Sequence, residues 1–341
     1  MKQKKVTFAD IAAYTGFSKT TISRYFNNPD SLTLENQEKI AHALDVLGYQ
    51  ENKLAKVLAN GKSEFVGIII PNLYLHYYSE MLNQLLSTYE KYNYKFLVFI
   101  GNNKKEIEEK YIHELMAYKI EGLIDLSNTI SSEELASYKL PVVTIERECD
   151  HVCSVSTDNY LGGVQATSLL IRNKCDVILH INSIFPDTLP TYGRIRGFED
   201  ICNEHHVVHE LIQRNLGNTY QETLTQLKNI FNEIEEKYPS QKKGVFLAND
   251  TYASMFLNLI FQKYGKLPKD YQIVGFDDSP IASEAILPIT TVGQQIEKIA
   301  QTAMELLVLQ MNEMKKRKPT PLKEPVHKQI TPVLIRRDTT E

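Results

Sequence analysis

No stretch of the 341 residues reaches the run of about 18 apolar side chains that a membrane-crossing helix needs. The longest apolar stretches, 65–71 and 142–145, are only strand-sized. The basic start, Lys2, Lys4 and Lys5, is followed by no apolar signal core, so no export signal is expected. Cysteine is scarce: Cys149, Cys153, Cys175 and Cys202 are too few for a disulfide framework and fit a reducing, cytoplasmic setting. Cys149-x-His151-x-Cys153 has poor spacing for zinc and no second ligand pair, so no metal is expected. Asn60-Gly61-Lys62-Ser63 ends like a phosphate loop, but the required first glycine would fall on Lys56, and the motif fails. Lys315-Lys316-Arg317-Lys318, ahead of Pro319, reads as a solvated connector. His205, His206 and His209 read as solvated near a helix end. With no nucleophile–base pair standing out, an enzyme is not expected, nor is a cofactor.

What remains is an ordinary globular composition, 43% hydrophobic and 23% charged, in a chain long enough for two or three compact units. The net charge of −4 divides unevenly. Residues 1–62 hold nine Lys/Arg against six Asp/Glu, a balance of +3, which leaves −7 for the rest. A small basic head on an acidic body suits contact with phosphates at one end only. An excess of three charges is also within chance.

The first 48 residues read as helices alone. Thr7 caps a helix over 8–14 with Phe8, Ile11 and Ala12 on one face, and Gly16 breaks it. Ser18 caps a second helix to about Phe26, with Ile22 and Phe26 inward. Thr33 caps a third, with Ile40, Leu44 and Leu47 inward and Gly48 at its end. Helix, short glycine turn, helix is the helix-turn-helix layout, whose second helix offers its N-terminal side chains to the major groove. Those are Lys19, Thr20 and Thr21, with Arg24 a turn further on. A plain helical bundle with a polar surface has the same pattern.

After Gly61 strands alternate with helices. The strands are 65–71, 94–100, 121–127, 141–146, 176–182, 244–250 and 271–278. The helices include 78–93, 104–119 and 160–172. This alternation predicts parallel sheets covered on both faces, and too many strands for one sheet, hence two α/β lobes. Ligands of such sheets bind beyond the strands' carboxyl ends. Polar residues gather there: Glu146 and Arg147, Asn249 and Asp250, Asp277 and Asp278. They suit hydroxyl groups of a ligand held between the lobes, or they cap the following helices.

Specific strings then carry a likeness. VTFADIAAYTGFSKTTISRYFNNP (6–29) and GYQENKLAKVLANGKS (48–63) resemble the head of the lactose-repressor (LacI) family of bacterial transcription regulators. The likeness continues through VGIIIP (66–71), DNYLGG (158–163), YGRIRGF (192–198), AND (248–250), VGFDDS (274–279) and ITTVGQ (289–294). The resemblance implies a three-helix head, a hinge helix, and a two-lobed core like that of periplasmic sugar-binding proteins. Its expected boundaries are 1–50 for the head and 51–63 for the hinge. The N-lobe takes 64–157 plus 289–320, and the C-lobe 158–288 plus 321–341. The chain would cross between lobes near Thr157, Pro288 and Pro319–Pro325.

The DNA-contacting set expected from this layout is Thr7, Ser18, Lys19, Thr20, Thr21, Ser23, Arg24 and Asn27 in the head. Asn52, Ala55, Lys56 and Leu58 join it from the hinge, where the family pushes a leucine into the minor groove; Leu58 is that wedge. Glu51 stands where the family commonly has proline. The resemblance places Arg194, Asn249 and Asp277 on the effector contacts, with Glu146 in place of a usual aspartate. Tyr77 and Tyr78 replace two pocket-floor phenylalanines, and Tyr220 is a candidate lid aromatic. An arginine with carboxylates and aromatics suits a sugar or sugar phosphate. The expected function is a repressor of a carbohydrate-use operon, binding near-palindromic double-stranded operator DNA as a homodimer. No leucine heptad follows 330–337 to build a tetramer. The alternatives are a regulator whose ligand strengthens DNA binding, and a sugar-binding transport protein.

Overall fold

A computed structural model describes residues 6–50, 63–147, 150–316, 318 and 324–341. They divide between a unit within residues 1–62 and one within 63–341.

The first unit holds α1 (Phe8–Thr15), α2 (Lys19–Asn27) and α3 (Leu34–Val46). Their starts are set by side chains that satisfy otherwise unpaired N–H groups. Asp10 accepts from the Thr7 N–H at 2.8 Å and from its hydroxyl at 2.6 Å. Ser18 Oγ accepts from the Thr21 N–H at 3.1 Å, and Thr33 Oγ1 from the Asn36 N–H at 3.4 Å. Gly16 stops α1 at φ +75°, a left-handed conformation that costs glycine nothing. Ile11, Ile22, Ile40 and Ala43 are fully buried. The Phe8 and Phe26 rings stack at 5.2 Å beside Tyr49. Leu44 and Leu47, expected inward, are only partly covered and pack against this cluster, while Ile40 and Ala43 are the fully buried residues of α3.

The second unit contains two six-stranded sheets. The first runs β11-β5-β4-β3-β1-β2 and is parallel throughout. Its strands are β1 (Phe65–Ile70), β2 (Lys95–Ile100), β3 (Gly122–Asp125), β4 (Val142–Ile145), β5 (Cys153–Thr157) and β11 (His327–Ile330). The second runs β12-β10-β9-β8-β6-β7. Its strands are β6 (Val177–Ser183), β7 (His209–Arg214), β8 (Lys243–Leu247), β9 (Tyr271–Asp277), β10 (Thr290–Gly293) and β12 (Val333–Ile335), the last antiparallel to β10. The helices that cover them include α4 (His76–Ser87), α5 (Asn159–Arg172), α6 (Gly193–Glu204), α7 (Asp250–Tyr264) and α8 (Ile296–Met314). Central strands such as FVGIII are buried on both faces, as parallel sheets require.

The lobe assignment differs from the sequence expectation in two places. Residues 290–293 pair with β9 and belong to the second sheet, so the second crossing lies at Gln294–Gln295 and not near Pro288. The buried Thr291 hydroxyl donates to Asp250 at 2.6 Å and ties β10 to that lobe. Residues 327–330 pair with β5 in the first sheet, so the third crossing falls at 331–332, where Pro332 cannot donate to a ladder. The first crossing passes through Asp158, between β5 and α5. Ser63, assigned to the linker, is buried in the second unit and donates to the Lys119 carbonyl at 2.5 Å. Cys153, read as part of a loop, opens β5, and His209 opens β7 and is half-buried. No helix among the described residues is long and apolar enough to cross a membrane.

Candidate functional site

On the first unit, Lys19, Thr20, Arg24 and Asn27 are exposed along α2, with Thr20, Arg24 and Asn27 on the face opposite the buried Ile22. Lys19, Thr20 and Arg24 make no side-chain hydrogen bond among the described residues, so their groups are free to meet phosphates or base edges. Asn27 Nδ2 donates to the Ser23 carbonyl at 3.0 Å and lies 3.1 Å from its hydroxyl. Thr7, Ser18 and Thr21 spend part of their capacity on the helix starts. Asn52, Ala55, Lys56 and Leu58, with the hinge helix they were assigned to, lie outside the described residues.

In the second unit the polar residues converge where the chain passes between lobes. Arg194 sits at the start of α6 and is buried. Its Nε donates to Asn159 Oδ1 at 2.7 Å, its Nη1 to the Ala248 carbonyl at 2.6 Å, and its guanidinium lies 3.7 Å from the centre of the Phe276 ring. Close helix packing fixes that position. A side chain on Gly163 or Gly197 would overlap the carbonyl oxygens of Arg194 and Tyr160, so α5 and α6 approach through bare backbone.

Glu146 follows β4 at φ +56°. Its carboxylate accepts from the Thr157 N–H at 2.7 Å and from Asn159 Nδ2 at 2.9 Å, joining one lobe to the other. Asp277 ends β9 at φ +114°, a backbone region that side chains rarely adopt and that is held here by its surroundings. Its Oδ1 accepts from Gln294 Nε2 at 2.5 Å, while Gln294 Oε1 accepts from the Thr157 hydroxyl at 2.6 Å. Burial pushes the Asp277 carboxyl well above the carboxylate range; Arg194 opposes this, and Asp250 and Glu146 add to it.

The Tyr77 hydroxyl is buried and has no hydrogen-bond partner among the described residues. Burial raises the Tyr77 and Tyr78 phenols, and both sense Glu146 and Asp277 as negative neighbours and Arg194 as a positive one. Glu146, Arg194, Asp277, Tyr77 and Tyr78 therefore share one environment. Asn249 differs: its Oδ1 caps α7, accepting from the Tyr252 N–H at 2.8 Å, and its side chain also hydrogen-bonds the buried Tyr252 phenol. Arg147 points into the first lobe, donating to the Ser127 carbonyl at 2.8 Å and to that of Ile130, 3.5 Å from Asp125. Tyr220 is half-exposed at the start of the helix Tyr220–Lys237.

Sequence reasoning missed Thr157, Asn159 and Gln294. The strings DNYLGG and ITTVGQ held two of them, and a polar residue at each chain crossing was the signal. No cluster of three metal-ligating side chains occurs among the described residues. Cys149 lies outside them, and His151 lies 3.3 Å from the Ser132 hydroxyl.

A helical head that exposes one basic helix, with a two-lobed α/β unit that gathers buried polar groups at its crossings, defines a ligand-responsive DNA-binding regulator. Residues 7–52 match the family model described as bacterial regulatory proteins, lacI family, and 168–340 match the periplasmic binding protein-like domain. The chain is 26% identical over 303 residues to the sucrose operon repressor of Streptococcus mutans, covering 88% of this chain and 91% of that one. It is 26% identical to the ribose operon repressor of Bacillus subtilis, covering 89% and 90%. The fold matches a crystal structure of the lac repressor dimer bound to operator and the anti-inducer ONPF, with a TM-score of 0.81, 20% identity and 99% of each chain covered. The chain thus belongs to the periplasmic binding protein-like family over its second unit and carries a lacI-family DNA-binding domain at its head.

Proposed function

We propose that the protein is a sequence-specific repressor of a carbohydrate-use operon. It acts as a homodimer on a near-palindromic operator, and a small sugar-like effector bound between the core lobes controls it. It is not an enzyme. The observation that carries the effector half is the buried Tyr77 hydroxyl, without a partner among the described residues and within electrostatic reach of Arg194, Glu146 and Asp277. A buried polar atom without a partner costs about 1–3 kcal/mol, and a polyol supplies the missing bond. The names of the relatives above, repressors of sucrose and ribose operons, agree with a sugar. For the DNA half, the support is α2, with Lys19, Thr20 and Arg24 exposed and uncommitted.

The effector acts through its unequal affinity for two lobe arrangements. Losing Arg194 removes charge-assisted hydrogen bonds of roughly 1.5–3 kcal/mol each and erases most of that difference. The test starts with selection from random duplex DNA by the full-length protein, which should return an inverted repeat. Anisotropy on that repeat follows, with and without sugars. Arg194→Ala should keep effector-free operator affinity and lose the response. If no repeat emerges, or if a folded Arg194→Ala protein responds normally, the assignment fails.

A further inference from the structure

Three consecutive residues of the first lobe seat on the second. Tyr74 and Leu75 lie between β1 and α4, and His76 opens α4. The His76 N–H donates to the Thr251 hydroxyl oxygen at 3.0 Å, and His76 Nδ1 lies 3.0 Å from the same atom. Leu75 packs against the apolar cluster of the second lobe that holds Tyr252, Met255 and Phe256. Tyr74 hydrogen-bonds the Tyr252 hydroxyl. All three bear on the start of α7, where Thr251 and Tyr252 are buried. This seam adjoins the cleft from both lobes. Tyr77 and Tyr78 follow His76 directly, and Asn249 caps the same turn of α7.

Tyr252 holds both ends of the Asn249 amide. Its N–H donates to Asn249 Oδ1 at 2.8 Å, and its phenol oxygen also bonds the Asn249 side chain. The two neighbours act on that phenol in opposite senses. Asn249 favours its ionised form, as a donor to the oxygen does, and Tyr74 disfavours it, as an acceptor of the O–H does. The chain of bonds therefore runs from the Asn249 amide to Tyr252, and from the Tyr252 hydroxyl across to Tyr74. Bonds in such a buried chain reinforce one another. We infer, resting on the reading of this cleft as the effector site, that Tyr252 is a positioning residue of the effector response: it sets the Asn249 amide for the guest, and through Tyr74 that setting depends on how the lobes are placed. A rotation that parts Tyr74 from Tyr252 removes the far end of the chain and loosens the hold on Asn249. A guest that needs Asn249 in this setting favours the lobe arrangement in which the two phenols meet.

The experiment is anisotropy on the selected operator repeat with the full-length protein, titrated in turn with sucrose, D-ribose and cellobiose. At least one sugar should change operator affinity in the parent protein. Tyr252→Phe and Tyr74→Phe keep the rings and each remove one hydroxyl. Each should raise that sugar's midpoint by about three- to tenfold, the size of one neutral hydrogen bond. The losses should not add: the double variant should match Tyr252→Phe alone, because both substitutions cut one chain. Each variant is checked for its melting transition; a role in packing alone would lower that transition and leave the midpoint in place. A midpoint that stays where it was, or falls, overturns the inference. So does a double variant whose shift is the product of the single ones. Arg194→Ala separates the two readings. A response lost in Arg194→Ala but unchanged in both tyrosine variants overturns only the role of Tyr252. A response that survives in Arg194→Ala overturns the cleft as the effector site, and if no sugar changes operator affinity in the parent, both readings fall.

Discussion

The two units of this chain treat charge in opposite ways. The head buries Ile11, Ile22, Ile40 and Ala43, and its fully buried residues include no ionisable group among those described. Its lysine and arginine on α2 stand in water. The second unit buries Glu108, Asp125, Glu146, Arg147, Arg194, Lys243, Asp250 and Asp277. DNA comes to the head from outside and brings its own counterions, so a hydrated cation that exchanges them is what binding needs. A small ligand enters the second unit, and groups that await it there must be held in place before it arrives. Solvated charge reads a polymer, and desolvated charge selects a guest.

The largest expected effect tests the head's side of this contrast. Its apolar core is so small that Ile22→Ala should cost about 2–5 kcal/mol, enough to unfold a marginal unit of this size. Operator binding should vanish, while effector binding and the melting of the second unit stay unchanged. Calorimetry with separate transitions checks this, and a shift of the second transition would break the contrast.

The next effect concerns pH. Burial raises the carboxyl of Asp125 to about 7, and that of Asp250 to about 7 as well. A carboxyl raised in the folded state binds its proton more tightly there than in the unfolded chain. Its stability contribution is full below the unfolded pKa of about 3.8 and is lost as pH climbs through the folded value. His180, lowered by burial to about 3, runs the other way and gains stability as pH rises to about 6.5. Asp125→Asn isolates one contribution. The variant should gain on the wild type between about pH 4 and 7, by up to about 4 kcal/mol at the upper end. Denaturant melts of the second unit across that range measure it; a constant difference would mean that Asp125 stays ionised.

The smallest effect sharpens the head's role. Arg24→Ala removes one exposed guanidinium and should cost roughly 1–3 kcal/mol on the best operator while relaxing preference at one base pair. Competition with single-base operator variants checks this. An unchanged ranking would make Arg24 a phosphate contact.

The head was legible almost to the residue, because Thr7, Ser18, Thr33 and Gly16 act on their own neighbours. The buried strands of the second unit were legible wherever they were continuous apolar runs. What escaped was β5 (CSVST), whose Ser and Thr look polar yet are buried, and β7 (HELIQR), whose charges mark it as a sheet edge. β10 and β11 also escaped, too short to show a period. At the site, Glu146 and Asp277 stood out as polar residues at strand carboxyl ends, whereas Arg194 was named only from the family likeness. The bonds that organise them were not legible, since Thr157 meets Gln294 across 137 positions of sequence. Nothing local could announce that pairing.

The sheet order has a mechanical side. All three crossings leave from strands at one border of the sheets: β5 and β11 in the first, β10 and β12 in the second. The opposite borders are β2 and β7, and there the lobes touch lightly, Asn103 to Asn218 at 3.4 Å. The lobes therefore form a lever with its fulcrum at one margin. With strands about 4.8 Å apart, the far margin lies about 24 Å from that fulcrum and travels roughly 4 Å for each turn of about 10°. A guest seated near the crossings displaces little itself, yet the free borders magnify whatever rotation it imposes.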